Sequence, residues 1–317
     1  MHDQAIKLRQ MVETGAIPVR TGAPGVPMIV VFGARAGVGT TTVAVNLAAA
    51  LSNLGERVVL VDAAVNGNLA EAAGIGRTDV KRTSSEVIAG ECRAVDAIVA
   101  GPVGMSVLAA ASHVNAKRDC AQSPRRNLDR SRSRAVEIAD NSRSGQQRLM
   151  SELQSLRNEV DVIVLDTGSG WTSWSRRYWA KAKHVLLVST SEDAALMDAY
   201  AAIKRSVSDA IDSDVRVILN QCDKQDNALA ACQRLSKACL RFLERSVAAL
   251  PALPRDIDVD LNERSFPRWW EARDTTFGHA ALWLGRAVSD LLQEPTTSAG
   301  RGATAANRLQ VREFQDA

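Results

Sequence analysis

The sequence has no arrangement of cysteine and histidine that suits a metal cluster or a disulfide framework. Its five cysteines form no CxxC pair, and its four histidines do not gather near them. Zinc sites need closely spaced ligands, and disulfide-stabilised domains need many cysteines in a short chain. We therefore exclude both kinds of site and expect a reducing compartment.

Long apolar runs are also missing. Nowhere do 18 apolar residues follow one another, and the first residues lack the apolar core of a signal peptide. A net charge of +3 is too small to imply nucleic acid, so no nucleic-acid partner is expected. These features predict a soluble, cytoplasmic protein.

Short apolar runs do occur, and they alternate with segments of helical period. The predicted strands are 28–32, 58–61, 105–108, 162–165, 185–188 and 215–219. The predicted helices are 41–54, 145–158, 193–209 and 226–244. Apolar strands that alternate with helices indicate an α/β fold with a doubly wound, mostly parallel sheet. We expect this domain to span residues 28–292.

Four segments fall outside that pattern. Residues 1–15 are predicted to form a short helix, and residues 16–27 contain three prolines and two glycines, which suits a linker. Residues 117–134 carry seven basic residues without a hydrophobic period, so we interpret 117–142 as a disordered basic insertion. The tail 293–317 is predicted to be flexible.

A glycine-rich turn follows the first predicted strand and opens the first predicted helix. In that position backbone N–H groups can converge on phosphates at a helix N-terminus. The turn resembles the deviant Walker A loop of the MinD/ParA family, K-G-G-V-G-K-T-T. The matching residues are Gly37, Val38, Gly39, Thr41 and Thr42.

Three catalytic positions depart from the family pattern. Arg35 stands at the signature lysine, which reaches across a dimer in the family, and Thr40 stands at the lysine that holds the β- and γ-phosphates. Ala64 replaces the acid that orients the attacking water. Cationic groups aimed at developing charge contribute several kcal/mol to a transition state, so ATP hydrolysis is expected to be weak or lost.

Other parts of the nucleotide site persist. The resemblance implies that Thr41, Asp62 and Asp166 accompany Mg²⁺ and that Asn220 recognises adenine, with ATP or ADP as the cofactor. The implied nucleotide-binding residues are Arg35, Gly37, Val38, Gly39, Thr40, Thr41, Thr42 and Asn220.

Further motifs resemble the FlhG (FleN or YlxH) branch, whose members regulate flagellar number and placement. These motifs lie at residues 85–90, 98–108, 166–170 and 198–204. The N-terminus also matches the D-Q-A-x-x-L-R element of that branch, at Asp3, Gln4, Ala5, Leu8 and Arg9. In the family this helix binds an FlhF-type GTPase and stimulates it. Gln4 lies one helical turn from Leu8 on the same face, so docking of Leu8 on the GTPase would bring Gln4 to the active site. There its amide could orient the water that attacks GTP.

Several alternatives stay open. The chain could be a working ATPase in which Arg35 takes over part of the lysine's role, or a pilus localisation factor like the TadZ/CpaE branch. The N-terminal helix could simply pack on its own domain. The resemblance leaves open a homodimer, contacts with flagellar assembly proteins, and recruitment to the cell pole or inner membrane. Autonomous membrane binding is expected to be weak or indirect.

An aromatic stripe follows the predicted strand 162–165, which resembles the Walker B strand of the family. Trp171, Trp174, Tyr178 and Trp179 share one helical face. We expect this face to pack in the core or against Trp269 and Trp270. The alternative is a partner surface, because aromatic residues are enriched in interface hot spots.

Overall fold

A computed structural model describes residues 25–64, 67–110, 143–223, 225–255, 268–271 and 273–294. These residues form one eight-stranded sheet with helices on both faces. The strand order is β3-β4-β2-β5-β1-β6-β7-β8, and only the β3–β4 pair is antiparallel. This is the predicted doubly wound, mostly parallel α/β fold.

The strands are β1 (Met28–Gly33), β2 (Val58–Asp62), β3 (Val99–Ala100), β4 (Ser106–Leu108), β5 (Val162–Ser169), β6 (His184–Ser189), β7 (Asp214–Leu219) and β8 (Ala248–Ala249). The helices are α1 (Thr40–Asn53), α2 (Leu69–Ala72), α3 (Ser84–Ala89), α4 (Ala94–Ala97), α5 (Arg143–Ser155), α6 (Ser173–Lys181), α7 (Asp193–Ser208), α8 (Gln225–Leu243) and α9 (Thr276–Gln293). A 3₁₀ turn at Pro102–Gly104 joins β3 to β4.

The six predicted strands and four predicted helices are all present, with ends shifted by a few residues. Buried parallel strands are apolar on both faces, so their sequences are continuous runs that are easy to recognise. The two-residue strands β3 and β8 were not predicted. They are too short to show any period, and only pairing with β4 and β7 defines them.

Two apolar layers sandwich the sheet. The helices α3–α8 pack on one face, and α1, α2 and α9 pack on the other. Helix α9 lies directly against α1, because Gly285 leaves no room for a side chain: a Cβ there would be 2.5 Å from the Cβ of Ala50. The helix that begins at the glycine loop is therefore held between the sheet and α9.

The aromatic stripe belongs to the core. Tyr178 and Trp179 are fully buried, and Trp179 packs edge-on against Phe32 of β1 with ring centroids 5.2 Å apart. The alternative contact with Trp269 and Trp270 is wrong, because Trp269 lies in the layer on the opposite face of the sheet. Sequence spacing predicts a shared helical face but cannot say which side of the sheet covers it.

Some predictions lie outside the described residues. These are the N-terminal helix, most of the linker, the basic insertion at 117–142, and all but the first two residues of the tail. Within the described part, no helix is long and apolar enough to cross a membrane. Cys92, Cys222, Cys232 and Cys239 lie in that part too, and all four are free thiols.

Candidate functional site

The glycine loop lies at the carboxyl edge of the sheet, between β1 and α1. Gly37 and Gly39 have φ angles of +86° and +82°, a backbone region that favours glycine. Helix α1 starts at Thr40 and has no side-chain cap at its N-terminus. Its first N–H groups therefore lack a capping side chain, as expected where a helix start receives an anion.

The two threonines that open α1 have different surroundings. The Thr41 hydroxyl donates to Asp166 Oδ2 at 2.7 Å, which joins the start of α1 to β5. Thr40 is buried and turned toward Gly33, where a Cβ would meet its Oγ1 at 2.1 Å. A threonine in this position has neither the length nor the charge of the family lysine.

Two buried carboxyl groups face this edge of the sheet. Asp62 ends β2 and lies in register with Asp166 of the neighbouring strand β5. Asp62 accepts hydrogen bonds from the backbone N–H groups of Ala64 and Leu69, at 3.2 and 3.3 Å. Asp166 accepts from the Gly168 N–H at 2.9 Å as well as from Thr41.

Among the described residues, no cationic side chain lowers the pKa of either carboxyl group. Burial, and then the adjacent Asp166 carboxylate, raise the pKa of Asp62 from 3.8 to about 8. Burial also raises the pKa of Asp166, although its hydrogen bonds with Thr41 and Gly168 oppose the change. A hard dication such as Mg²⁺ takes oxygen ligands and would supply the missing positive charge. The described residues contain no cluster of three or more His, Cys, Asp or Glu that could hold a metal.

Arg35, at the signature position, lies on the rim of the loop. Its Nε is 3.6 Å from Asp198 Oδ2 on α7, and both side chains are about half exposed. An exposed pair at this distance contributes little to stability. In this structure Arg35 pairs with Asp198 of α7, and the alternative that Arg35 takes over part of the lysine's role stays a prediction.

Ala64 lies just beyond Asp62. A Cβ built on Gly168, near the end of β5, would be 3.2 Å from the Ala64 methyl group. Position 64 therefore faces the end of β5, but a methyl group can neither accept a proton nor orient a water molecule.

Asn220, which follows β7, contacts the glycine loop rather than open space. Its Nδ2 donates to the Val38 carbonyl at 2.9 Å, and only 4% of the residue is exposed. The neighbouring Gln221 donates from Nε2 to the Gly37 carbonyl at 3.0 Å. Sequence inspection did not identify Gln221, because no local pattern marks a side chain that meets a loop 184 residues away. Adenine recognition by Asn220 stays a prediction.

A second unpredicted contact supports α1 from the other side. The Asn46 side chain accepts from the Trp269 backbone N–H at 2.9 Å and donates to the Thr42 carbonyl at 2.8 Å. The Trp269 indole donates to the Asn46 carbonyl at 3.2 Å. Asn46 and Trp269 are both buried, so this link anchors the first turns of α1 to the turn at 268–271. The described loop residues therefore meet at one edge of the sheet, whereas Asp3, Gln4, Ala5, Leu8 and Arg9 lie outside the described residues.

The sequence of this chain is similar to those of several known proteins. A family profile described as an AAA domain matches residues 26–217. Antiactivator FleN from Pseudomonas aeruginosa is 30% identical over 240 residues, which cover 74% of this chain and 75% of FleN. The septum site-determining protein MinD from Synechocystis is 28% identical over 177 residues, which cover 56% of this chain and 58% of that protein.

Solved structures show the same fold. The cell division ATPase MinD from Pyrococcus furiosus aligns with a TM-score of 0.63 at 21% identity, covering 84% of this chain and 99% of that one. MinD from Pyrococcus horikoshii, solved in complex with Mg-ADP, gives the same TM-score and identity and covers 84% of this chain and 98% of its own. Because the family profile spans more than half of the chain and FleN matches three quarters of it, the chain belongs to the MinD/ParA family of P-loop proteins, in its FleN/FlhG branch.

Proposed function

We propose that this protein is a MinD-like regulator of flagellar number and placement that binds a nucleotide but hydrolyses ATP weakly or not at all. One observation carries the second half of this proposal. The loop and the paired carboxyl groups are in place, whereas the positions for the catalytic cation and the catalytic acid hold Thr40 and Ala64. The relative FleN is named an antiactivator, a regulatory role, which supports the first half.

The residues present fit a nucleoside phosphate with Mg²⁺. Gly37 and Gly39 hold the loop at positive φ, and α1 begins without a side-chain cap. The site also has a Thr41 hydroxyl and two buried carboxyl groups, whose pKa values are raised by burial and, for Asp62, also by the charge of Asp166. Thr41, Asp62 and Asp166 would hold the metal, which would neutralise part of the phosphate charge. MinD from Pyrococcus horikoshii was solved with this same ligand pair, Mg-ADP.

The same residues are poorly suited to catalysis. Thr40 cannot place a positive charge on a transferring phosphoryl group, and Ala64 cannot orient a water molecule. Loss of one such group slows comparable reactions by about 10²–10³-fold. Nucleotide would then act as a bound ligand that stabilises one conformation, with little turnover.

A pair of measurements tests this half of the proposal. Binding of a fluorescent ADP or ATP analogue in the presence of Mg²⁺ should be detectable, and Thr41→Ala should weaken it because the hydroxyl and its bond to Asp166 are lost. Thr42→Ala, which removes the hydroxyl next to it, is the matched control and should weaken binding less. Phosphate release from ATP should stay near background.

Restoration of the missing groups provides the opposite test. The double variant Thr40→Lys and Ala64→Asp should raise phosphate release well above wild type if the rest of the site is intact. Rapid ATP turnover by the wild-type protein would contradict the proposal. If no nucleotide bound to the protein, the proposed nucleotide-binding role would be rejected, although the fold would be unaffected.

We also propose that the N-terminal element acts in trans on an FlhF-type GTPase. Support comes from the full match of Asp3, Gln4, Ala5, Leu8 and Arg9 to the element of the branch, and from the FleN relationship. A glutamine amide can orient the water that attacks GTP, so Gln4 is the residue that would contribute to chemistry.

The experiment is GTP hydrolysis by a cognate FlhF-type GTPase, with the full-length protein and with a peptide of residues 1–20. Both should stimulate turnover, and Gln4→Ala should abolish the effect. Lys7→Ala lies in the same segment at an unspecified position of the element and should leave stimulation intact. Equal stimulation by the Gln4 and Lys7 variants would contradict the role of Gln4. No stimulation by any form would reject this partner.

A further inference from the structure

Two consecutive side-chain amides at the end of β7 hold two consecutive carbonyls of the glycine loop. Asn220 Nδ2 donates to Val38 O at 2.9 Å, and Gln221 Nε2 donates to Gly37 O at 3.0 Å. The fit is close, since a Cβ on Gly39 would lie 2.3 Å from Asn220 Nδ2. The glycine loop is thus held by hydrogen bonds from the two residues that follow β7.

Gln221 adopts an unusual backbone conformation to make this contact. Its φ is +57°, a region that a residue with a long side chain rarely occupies. The residues on either side are fixed by the sheet edge: the Asn220 N–H donates to Ser189 O at 2.8 Å, and the Cys222 N–H donates to Leu253 O at 3.1 Å. Unfavourable backbone conformations persist where surrounding structure imposes them, and they concentrate at functional sites.

The direction of the two carbonyls determines what the loop offers a ligand. In a trans peptide the C=O and the following N–H point in opposite directions. Because the carbonyls of Gly37 and Val38 point toward the β7 side, the N–H groups of Val38 and Gly39 point away from it. The loop therefore presents donors on the face opposite the two amides, which is the polarity that an anion requires.

We propose that Gln221 is a positioning residue which, together with Asn220, fixes the glycine loop in its phosphate-binding conformation before any nucleotide arrives. This inference rests on the proposed nucleotide site and deepens it. Thr40 is too short to reach the carbonyl groups of the loop. The side-chain amides of Asn220 and Gln221, which follow β7, therefore hold the loop in place. Binding then loses less conformational entropy, because the loop is already ordered.

The structure supplies a variant that separates this role from general stability. Gln221→Gly removes the amide and also relieves the positive φ, so global stability should stay the same or rise while the loop becomes freer. Ala210→Gly is the matched control: Ala210 also has a positive φ, +53°, but it lies between α7 and β7, at the opposite end of β7 from Gln221. Gln221→Asn is a second variant, because asparagine tolerates positive φ but is one methylene too short to keep the contact.

The readout is backbone amide hydrogen exchange in the full-length protein without nucleotide, together with urea unfolding of the same samples. Exchange at Val38–Thr40 should accelerate roughly two- to five-fold in Gln221→Gly and in Gln221→Asn, as expected for loss of one exposed hydrogen bond. Ala210→Gly should leave loop exchange unchanged. Unchanged exchange at the loop in both Gln221 variants would overturn the proposal.

Affinity for Mg-ADP provides an independent arm. Both Gln221 variants should bind Mg-ADP roughly two- to five-fold more weakly than wild type, and Ala210→Gly should bind it equally well. If loop exchange rises and the affinity for Mg-ADP is unaltered, the proposal that this ordering prepares the loop for phosphate is overturned. If no form binds nucleotide, the proposed nucleotide function fails, and the exchange data still decide whether Gln221 holds the loop.

Discussion

Replacement of Asp62 by asparagine should remove the loss of stability that this carboxyl group imposes as the pH rises. The carboxyl group is fully buried beside Asp166, and its pKa is raised from 3.8 to about 8. A carboxyl group whose pKa is higher in the folded state binds a proton more tightly there. Folding is therefore favoured when Asp62 is protonated, and stability falls as the pH rises from the unfolded pKa to the folded one.

The magnitude follows from that interval. Between the two pKa values the native state carries one more proton than the unfolded state, so the free energy of unfolding falls by about 1.4 kcal/mol per pH unit. Over the window from about pH 4 to about pH 8 the effect is about 5 kcal/mol, slightly less than four full units because titration is partial near each pKa. The asparagine side chain keeps the acceptor for Ala64 but presents an amide to the Leu69 N–H, which costs about 1 kcal/mol.

The assay is urea unfolding, followed by tryptophan fluorescence, at several pH values in buffer without Mg²⁺. Asp62→Asn should be less stable than wild type by about 1 kcal/mol near pH 4 and more stable by about 4 kcal/mol near pH 8. Asp290→Asn removes an exposed carboxylate on α9 and should keep the wild-type slope. Parallel pH profiles for wild type and Asp62→Asn would refute the argument that Asp62 is the titrating group.

Three further changes test the surroundings of the site. Gly37→Ala should cost about 1 kcal/mol for its positive φ, whereas Gly39→Ala should cost about 2–3 kcal/mol because its methyl group also meets Asn220 Nδ2, 2.3 Å away; equal losses for the two variants in calorimetry would mean that the clash is absent. Asn46→Ala should lower the free energy of unfolding by about 2 kcal/mol, since it leaves a buried N–H without its acceptor, and a loss below about 0.5 kcal/mol in urea unfolding would mean that the link is not formed. Trp179→Ala should cost about 3–5 kcal/mol, whereas Trp283→Ala, whose residue is 38% exposed, should cost less than about 1 kcal/mol, and equal losses would place the aromatic stripe outside the core.

Most of the fold could be predicted from local sequence. The strands are continuous apolar runs because parallel strands are covered on both faces, and the helices have an apolar stripe because only one side of each is covered. The glycine loop is recognisable for the same local reason, since glycine at positions 37 and 39 allows the positive φ angles that the turn needs. The absence of lysine at position 40 and of an acid at position 64 is likewise visible without any coordinates.

The contacts that adjust the site depend on chain segments that are far apart in sequence. Gln221 reaches Gly37 across 184 residues, and Trp269 reaches Asn46 across 223 residues, so no local pattern could reveal either contact. The sequence also could not predict that Trp179 and Trp269 lie on opposite faces of the sheet. A helical period shows that an apolar stripe is buried, but not against which face of the sheet it packs.

The pKa of the buried acidic residues also depends on the tertiary structure. An aspartate at position 62 is evident from the sequence, but its raised pKa comes from complete burial and from the register that places it beside Asp166. Sequence specifies which groups are available and how short segments fold. Only the packing of distant segments sets the electrostatic environment, because desolvation and charge–charge interactions depend on distances in space, not along the chain.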